Sequence, residues 1–377
     1  MRILLYSWPF YPSVGGLERL TELTASYLAG AGHRVTVVSA TSDPLGAGPR
    51  FPFAVERRPG WRRLYRLVRG ADLVHLNTFS ARILGLAKAL RKPVIWQHID
   101  FDTVSPRGIC HALGRPCPGS LRLCYRCLRG DHSRARAIRA IGSLLLKRAA
   151  VRAVAANAIS TRYAEERMRL PRAVHLPFGM DLSRFAPSQR TPPPPLRILF
   201  YGRHVPAKGC DVLVRAAHAC RGRGLPLSVR VAGDGPHRSS SEALAKSLGL
   251  GETVLFLGQL ADERLIAELQ GAHVVVVPTT QDEIGQFVAW EGMSSGCVVV
   301  ASRIGAFPEH LGEAGLLFPP GDVLVLADAL ERLSSDSDLL VSLATRGRER
   351  VLAHFDWRLM GRRYVELYGR LCNGIGQ

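Results

Sequence analysis

The sequence predicts an α/β protein built from two Rossmann-like domains facing across a cleft, and three observations predict it. Short β-branched or apolar runs alternate with helix-length amphipathic stretches almost throughout, the pattern of βαβ units on parallel sheets. The opening run Arg2 to Trp8 (RILLYSW) is matched in shape by Arg197 to Arg203 (RILFYGR), so the pattern restarts half-way. Between them stand the prolines at 192–195, which can continue neither a helix nor a central strand. In such folds ligand binds at the carboxyl ends of the strands.

Ile3 to Ser7 reads as the first strand. Leu17 to Ala29 follows as a helix, with apolar Leu20, Leu23, Ala25 and Leu28 and with Gly30 and Gly32 as terminators; Val35 to Ser39 is the next strand. Leu73 to Leu76, Val94 to Gln97, Val154 to Ile159 and Val174 to Leu176 complete the first series, giving a first domain over 1–187. Residues 188–196 read as a stiff linker. The second domain, 197–355, holds a helix near Asp211 to Cys220 and strands at Ser228 to Ala232, Val254 to Leu257, Val274 to Pro278 and Val298 to Ala301. Helices at Val323 to Leu333, Leu339 to His354 and Trp357 to Leu371 follow; the last, in segment 356–377, either covers the second sheet or packs back on the first domain.

Composition narrows the functional classes. Fifty Lys+Arg against 31 Asp+Glu give a formal charge of +19, while 47% hydrophobic and 21% charged residues exclude a disordered or collagen-like chain. The N-terminus carries no signal-peptide pattern, and no apolar run approaches the roughly 18–20 residues that span a bilayer. A cytoplasmic protein is expected. Eight cysteines are too dilute for a secreted disulfide scaffold.

The chemistry-bearing residues sit where strands end. Gly15 and Gly16 lie between the first strand and its helix, where backbone N–H groups and the helix dipole favour an anion. The spacing is neither a dinucleotide fingerprint nor a Walker loop. In the second half, Arg203 and Lys208 stand in a loop between strand and helix, a guanidinium fork and a point charge suited to a diphosphate. A third loop, Gly233 to Pro236, brings backbone close to a ligand through Gly235. The most specific signal is the pair Glu283 and Glu291, seven residues between them, after the strand Val274 to Pro278 and before Gly292 to Val300. With a helix starting near Gln286, Glu283 lies in the loop and Glu291 about a turn and a half inside.

Gly15 with Gly16, His98, Arg203 with Lys208, the two glutamates, the following Gly296 to His310 and the segment Leu176 to Phe185 together resemble, in order and spacing, the family 4 retaining glycosyltransferases of GT-B fold. The resemblance covers nearly the whole chain and is weakest between about Arg50 and Leu170. It implies transfer of a sugar from a nucleotide-sugar, UDP-, GDP- or ADP-linked, to an acceptor hydroxyl with retained anomeric configuration and no cofactor. By position, Arg203 and Lys208 hold the donor diphosphate and stabilise the leaving group. Gly15 and Gly16 add backbone N–H groups, Glu291 binds ribose, Glu283 faces the donor sugar, and backbone around Gln286, Phe287 and Val288 contributes to phosphate and sugar. His98 sits near the transferred sugar. Family members usually read Glu-Gly-Phe-Gly where this chain has Glu283 followed by Ile284, Gly285 and Gln286, and many have Asp directly after the histidine, where here Ile99 precedes Asp100.

The segment 103–152 carries two further features. Cys110, Cys117, Cys124 and Cys127 fall within 18 residues, a set suited to structural zinc or an iron–sulfur cluster, with disulfide or redox use and unligated thiols as the alternatives. Its 11 Lys+Arg meet one acid, Asp131. Arg134, Arg136, Arg139, Lys147, Arg148 and Arg152 belong to a helix beginning near Ser133, interleaved with Ile138, Ile141, Leu144 and Leu145. Such a stretch suits anionic lipid headgroups or a pyrophosphate-linked acceptor, and Trp61 to Arg69 has a similar aromatic and basic mix. The expected partners are a glycan or lipid-linked acceptor and an anionic membrane surface, at the inner face of the cell membrane. The alternatives are a soluble glycosyltransferase acting on a small molecule, a metal-stabilised nucleic-acid module and a non-catalytic relative; scarce stacking aromatics and no nucleic-acid motif weigh against nucleic acid.

Overall fold

The computed structural model describes residues 1–13, 15–43, 49–108, 111–112, 115–117, 119–285 and 287–373. They form two compact units: Met1–Met180 with the residues from Trp357 onward, and Asp181–Asp356.

The first unit runs β1 (Arg2–Ser7), α1 (Gly16–Gly30), β2 (Arg34–Ser39), β3 (Ala54–Arg57), α2 (Trp61–Gly70), β4 (Leu73–Leu76), α3 (Ala81–Ala89), β5 (Val94–His98), β6 (His111–Ala112), β7 (Arg115–Pro116), α4 (Leu121–Arg129), α5 (Arg134–Ala150), β8 (Ala156–Ile159), α6 (Arg162–Met168) and β9 (Ala173–His175). Seven strands make one parallel sheet in the order β3-β2-β1-β4-β5-β8-β9, while β6 and β7 pair as a separate antiparallel ribbon. Ile3 to Ser7 are all buried, as are all of β4 and β5, so these central strands are covered on both faces and read as continuous apolar runs.

The second unit runs β10 (Leu196–Tyr201), α7 (Cys210–Gly222), β11 (Leu227–Ala232), α8 (Arg238–Ser247), β12 (Val254–Gly258), α9 (Asp262–Gly271), β13 (Val274–Val277), α10 (Phe287–Ser294), β14 (Val298–Ser302), α11 (Phe307–Leu311), β15 (Leu316–Phe318), α12 (Val323–Ser335) and α13 (Ser337–His354). Its parallel sheet has the order β12-β11-β10-β13-β14-β15. In both sheets the winding reverses at the first strand, β1 between β2 and β4, β10 between β11 and β13. Each reversal leaves a crevice at the carboxyl ends.

The last helix, α14 (Trp357–Asn373), takes the second of its two expected placements and packs on α1 within the first unit. Gly361 lies so close to the Tyr27 ring that a methyl group there would collide with it, and Trp357 meets Tyr27 edge-on at 5.7 Å. Tyr364 donates to Gln97 Oε1 at 2.7 Å, and the Tyr368 hydroxyl bonds His75 Nδ1. Burial keeps His75 neutral by lowering its pKa to about 3.

The expected linker at 188–196 is corrected, because it is bound into the second unit and Leu196 already begins β10. Arg190 donates to the carbonyls of Gln270 at 2.9 Å, Leu269 at 3.1 Å and Gly296 at 2.7 Å, and also to that of Ser295. One guanidinium thereby satisfies the carbonyls left open at the ends of α9 and α10. The boundary moves from 187 to Met180 because Leu182 and Phe185 are buried and Ser294 Oγ donates to the Phe185 carbonyl at 3.0 Å. Among the described residues no helix is long and apolar enough to cross a membrane.

Tyr364→Phe strands a buried carbonyl oxygen and is expected to destabilise the first unit by about 1–3 kcal/mol in urea unfolding. The same change at exposed Tyr65 should leave the midpoint unmoved.

Candidate functional site

In the second unit the loops after β10, β11, β13 and β14 are packed backbone against backbone. A Cβ on Gly209 (φ +71°) would strike the Pro278 carbonyl, one on Gly233 (φ +114°) that of Gly202, and one on Gly235 (φ +154°) that of His204. All three glycines occupy conformations that side chains rarely adopt. Thr280 N–H donates to the Ala207 carbonyl at 2.8 Å and the buried Thr279 Oγ1 does so at 2.9 Å, tying the β13 loop to the Lys208 loop. From the β14 loop, a Cβ on Gly305 would lie 2.7 Å from Glu283 N, and Ala306 N–H donates to the Glu283 carbonyl at 3.2 Å.

These closures bring Lys208 and Glu283 together. Lys208 Nζ lies 2.6 Å from Glu283 Oε1, both side chains about a third exposed, and Thr279 Oγ1 approaches the same oxygen at 3.3 Å. Arg203 is exposed, its guanidinium without a hydrogen-bond partner among the described residues. A free guanidinium and an ammonium held by one exchangeable carboxylate can receive an anionic ligand.

Glu291 is placed differently from its partner. It lies in α10, 8% exposed, and Tyr201 at the end of β10 donates to its Oε2 at 2.6 Å. Burial pushes Glu291 up to about 7, with the Tyr201 hydrogen bond opposing the rise. Tyr201 was missed by the sequence reading; its signal is a phenol at the last position of a buried strand, where a hydroxyl needs a partner. Phe287 and Val288 form the half-buried first turn of α10, and Gln286 lies outside the described residues. Beneath them Trp290 stacks on Phe355 at 4.4 Å.

In the first unit His98 is the last residue of β5 and only 1% exposed. Its Nε2 meets Asn157 Oδ1 at 2.9 Å and its ring lies 4.6 Å from that of Trp96, while Nδ1 has no partner among the described residues. Burial lowers its pKa, the Asn157 hydrogen bond opposing, so the ring is neutral at pH 7. Asp100 emerges beside it, raised to about 7 by burial and by the Asp102 charge. Lys147 of α5 pairs with Asp102 at 2.8 Å. At the start of α1, Gly15 is extended rather than left-handed, and Glu18 folds back over it, accepting from Ser13 Oγ at 2.6 Å. Gly16 opens the helix, whose positive end thus already faces a carboxylate of its own.

Two of the four cysteines, Cys117 and Cys124, are packed into an apolar cluster. Cys117 and Cys124 are each 3% exposed against Leu144 and Ile141, and burial, then the neighbouring Cys117 thiol, pushes Cys124 up to about 11. Cys127 is half-buried on α4 and Cys110 lies outside the described residues. Among the described residues no group of three or more His, Cys, Asp or Glu is placed to hold a metal, so the zinc or iron–sulfur expectation gains no support from them.

Family models described as Glycosyltransferase Family 4 and Glycosyl transferases group 1 match residues 14–184 and 195–336. The first match spans the cysteine segment. The chain is 33% identical over 214 residues to a D-inositol 3-phosphate glycosyltransferase of Corynebacterium urealyticum, covering 51% of this chain and 50% of that one. It is 30% identical over 215 residues to a GDP-mannose-dependent alpha-(1-6)-phosphatidylinositol monomannoside mannosyltransferase of Mycolicibacterium smegmatis, covering 51% and 55%. The match thus spans about half the length of these curated relatives. Among solved structures, Anabaena Alr3699/HepE in complex with UDP superposes with a TM-score of 0.75 at 19% identity, over 98% of this chain and all of that one, and shows the same two-domain fold.

The buried glutamate makes stability depend on pH. Its folded pKa near 7 lies above the ordinary 4.5, so its stabilising contribution is complete below pH 4.5 and is lost as pH rises through 7. Glu291→Gln, neutral throughout, should gain on the order of 3 kcal/mol relative to the wild type across that window. Urea unfolding at about pH 5 and about pH 8 measures the difference.

Proposed function

The chain belongs to the group 1, family 4 glycosyltransferases, and on that premise we propose that it is a retaining, metal-independent enzyme moving a sugar from a nucleotide-sugar to an acceptor hydroxyl. The acceptor in this reading is a lipid-linked or polysaccharide precursor of a cell-surface glycan. The observation that carries the reading is the Lys208 and Glu283 pair, in a loop that also carries the exposed Arg203, at the point where the second sheet reverses its winding.

When a donor enters, its diphosphate competes with Glu283 for Lys208. The ammonium turns to phosphate, Arg203 closes on it as a fork, and the released Glu283 carboxylate accepts hydrogen bonds from the donor sugar. As the bond from the anomeric carbon to the diphosphate oxygen breaks, negative charge grows on that oxygen, and the two cations stabilise it more in the transition state than in the ground state. They supply the positive charge that a divalent ion provides in other sites. Backbone N–H groups at Phe287, Val288 and Gly235 complete the phosphate and sugar contacts.

Glu291 binds the ribose hydroxyls, which take over the place of the Tyr201 hydroxyl or share the carboxylate with it. His98, neutral and wedged between Trp96 and Asn157, acts in the first unit as a fixed hydrogen-bonding group through Nδ1 rather than as a base that must charge.

The names of the relatives point to inositol phosphate and phosphatidylinositol mannoside acceptors and to a GDP-mannose donor, and a UDP complex exists for a protein of the same fold. A panel of UDP-, GDP- and ADP-sugars should contain one that raises Tm, by several degrees once its concentration exceeds Kd about 100-fold. Lys208→Ala should abolish that shift, and Lys208→Ala and Arg203→Ala should each lower kcat/KM for donor hydrolysis by about 100- to 1,000-fold. No shift and no hydrolysis with any of these donors would remove the donor site.

A further inference from the structure

Helix α5 carries its apolar side chains on the wrong side for a helix that only covers a core. At about 100° per residue, Ile138, Gly142, Leu145, Leu146 and Ala149 fall on one stripe, and that stripe faces solvent. Ile138 is 62% exposed, Leu145 47% and Leu146 50%. Two cations of its last turns, Lys147 and Arg148, instead point inward. Arg148 donates to the carbonyls of Thr103 at 3.0 Å, Val104 at 2.9 Å and Gly119 at 2.7 Å, and Lys147 holds Asp102.

Around this stripe the charge is of one sign. Arg134, Arg136 and Arg139 are exposed at its start, and Arg122, Arg126 and Arg129 are exposed along the packed neighbour α4. Among the described residues none of the six pairs with a carboxylate; Asp131, the one acid of the segment, is held by Arg107. An exposed apolar stripe rimmed by unpaired arginines marks a contact surface. A second copy of the chain would bring the same arginines against these, so self-association is opposed by charge.

We propose that the outer face of α5, with the arginines of α4 and α5, docks on an anionic phospholipid bilayer. Ile138, Leu145 and Leu146 enter the boundary between headgroups and acyl chains with the helix lying in the plane of the interface, and the arginines bind lipid phosphates in the surrounding headgroup layer. This surface is independent of the donor site and does not rest on the catalytic reading.

Sedimentation of the full chain with vesicles of phosphatidylcholine and phosphatidylglycerol, compared with phosphatidylcholine alone, tests it. Binding should require phosphatidylglycerol and weaken as salt rises. Arg134→Gln/Arg136→Gln/Arg139→Gln should weaken partitioning on the order of 100-fold, and Ile138→Ser/Leu145→Ser by about 10-fold or more. Unchanged thermal unfolding of both surface variants shows that they fold. The proposal is overturned if the wild type does not sediment with anionic vesicles at low salt, or if both variants bind as it does. It is equally overturned if light scattering finds a dimer that Ile138→Ser/Leu145→Ser dissociates, since the stripe is then an interface between copies.

Discussion

The second unit depends on backbone contacts that leave no room for a side chain. Gly209 against Pro278, Gly233 against Gly202 and Gly235 against His204 let the loops leaving β10, β11 and β13 touch main chain to main chain. Each contact needs both a missing Cβ and a positive φ, a combination that glycine meets without strain. Once the loops are locked, the backbones that carry Lys208 and Glu283 are held at a spacing their partly exposed side chains bridge at 2.6 Å. Gly305 extends the same logic to the β14 loop, which presses on the backbone of Glu283 itself.

Within each unit, groups named for the donor are met by partners from the same unit. Glu283 occupies Lys208, Tyr201 occupies Glu291, and Glu18 occupies the positive end of α1. On the proposed donor reading, a phosphate replaces the Glu283 carboxylate at Lys208 and a ribose hydroxyl replaces the phenol at Glu291. On that reading a ligand must better these partners, so charge alone binds weakly and the correct arrangement of charge and hydroxyls is selected. Arg203, the cation without such a partner among the described residues, is suited to make the first contact.

Much of this was legible in the chain. Alternating apolar runs located most strands to within a residue or two, because strands covered on both faces are mostly apolar, and the spacing of Glu283 and Glu291 placed the first in the loop after β13 and the second inside α10. Tertiary partners were not. The four prolines at 192–195 suggested a stiff linker, whereas the decisive residue was Arg190, whose fork meets carbonyls some 80 and 106 positions away in sequence. Tyr201 and Glu291 are likewise 90 positions apart, and no local pattern pairs them. β3, with its residues only half-buried at the sheet edge, lacks a continuous apolar run and was overlooked. In α5 the apolar residues cover more than one face. Periodicity located the helix, but packing selected Ala137 and Leu144 for the interior and left Ile138 and Leu145 outside, with Lys147 and Arg148 turned inward.

That inversion joins two parts of the first unit. An inward arginine on a surface helix loses solvation unless its donors are met, and Arg148 meets them with three carbonyls from Thr103, Val104 and Gly119, fastening α5 to the loop that follows β5. Lys147, next in line, reaches Asp102, whose N–H donates to Asp100 at 3.0 Å and whose charge acts on His98. One side of α5 thus sets the electrostatic surroundings of the histidine at the end of β5, while the other side carries the apolar stripe. Whatever contacts the stripe also bears on the orientation of a helix whose inner cations help set the charge around His98. The same seventeen residues, Arg134 to Ala150, thus carry both the outward apolar stripe and the inward cations that lie near the end of β5.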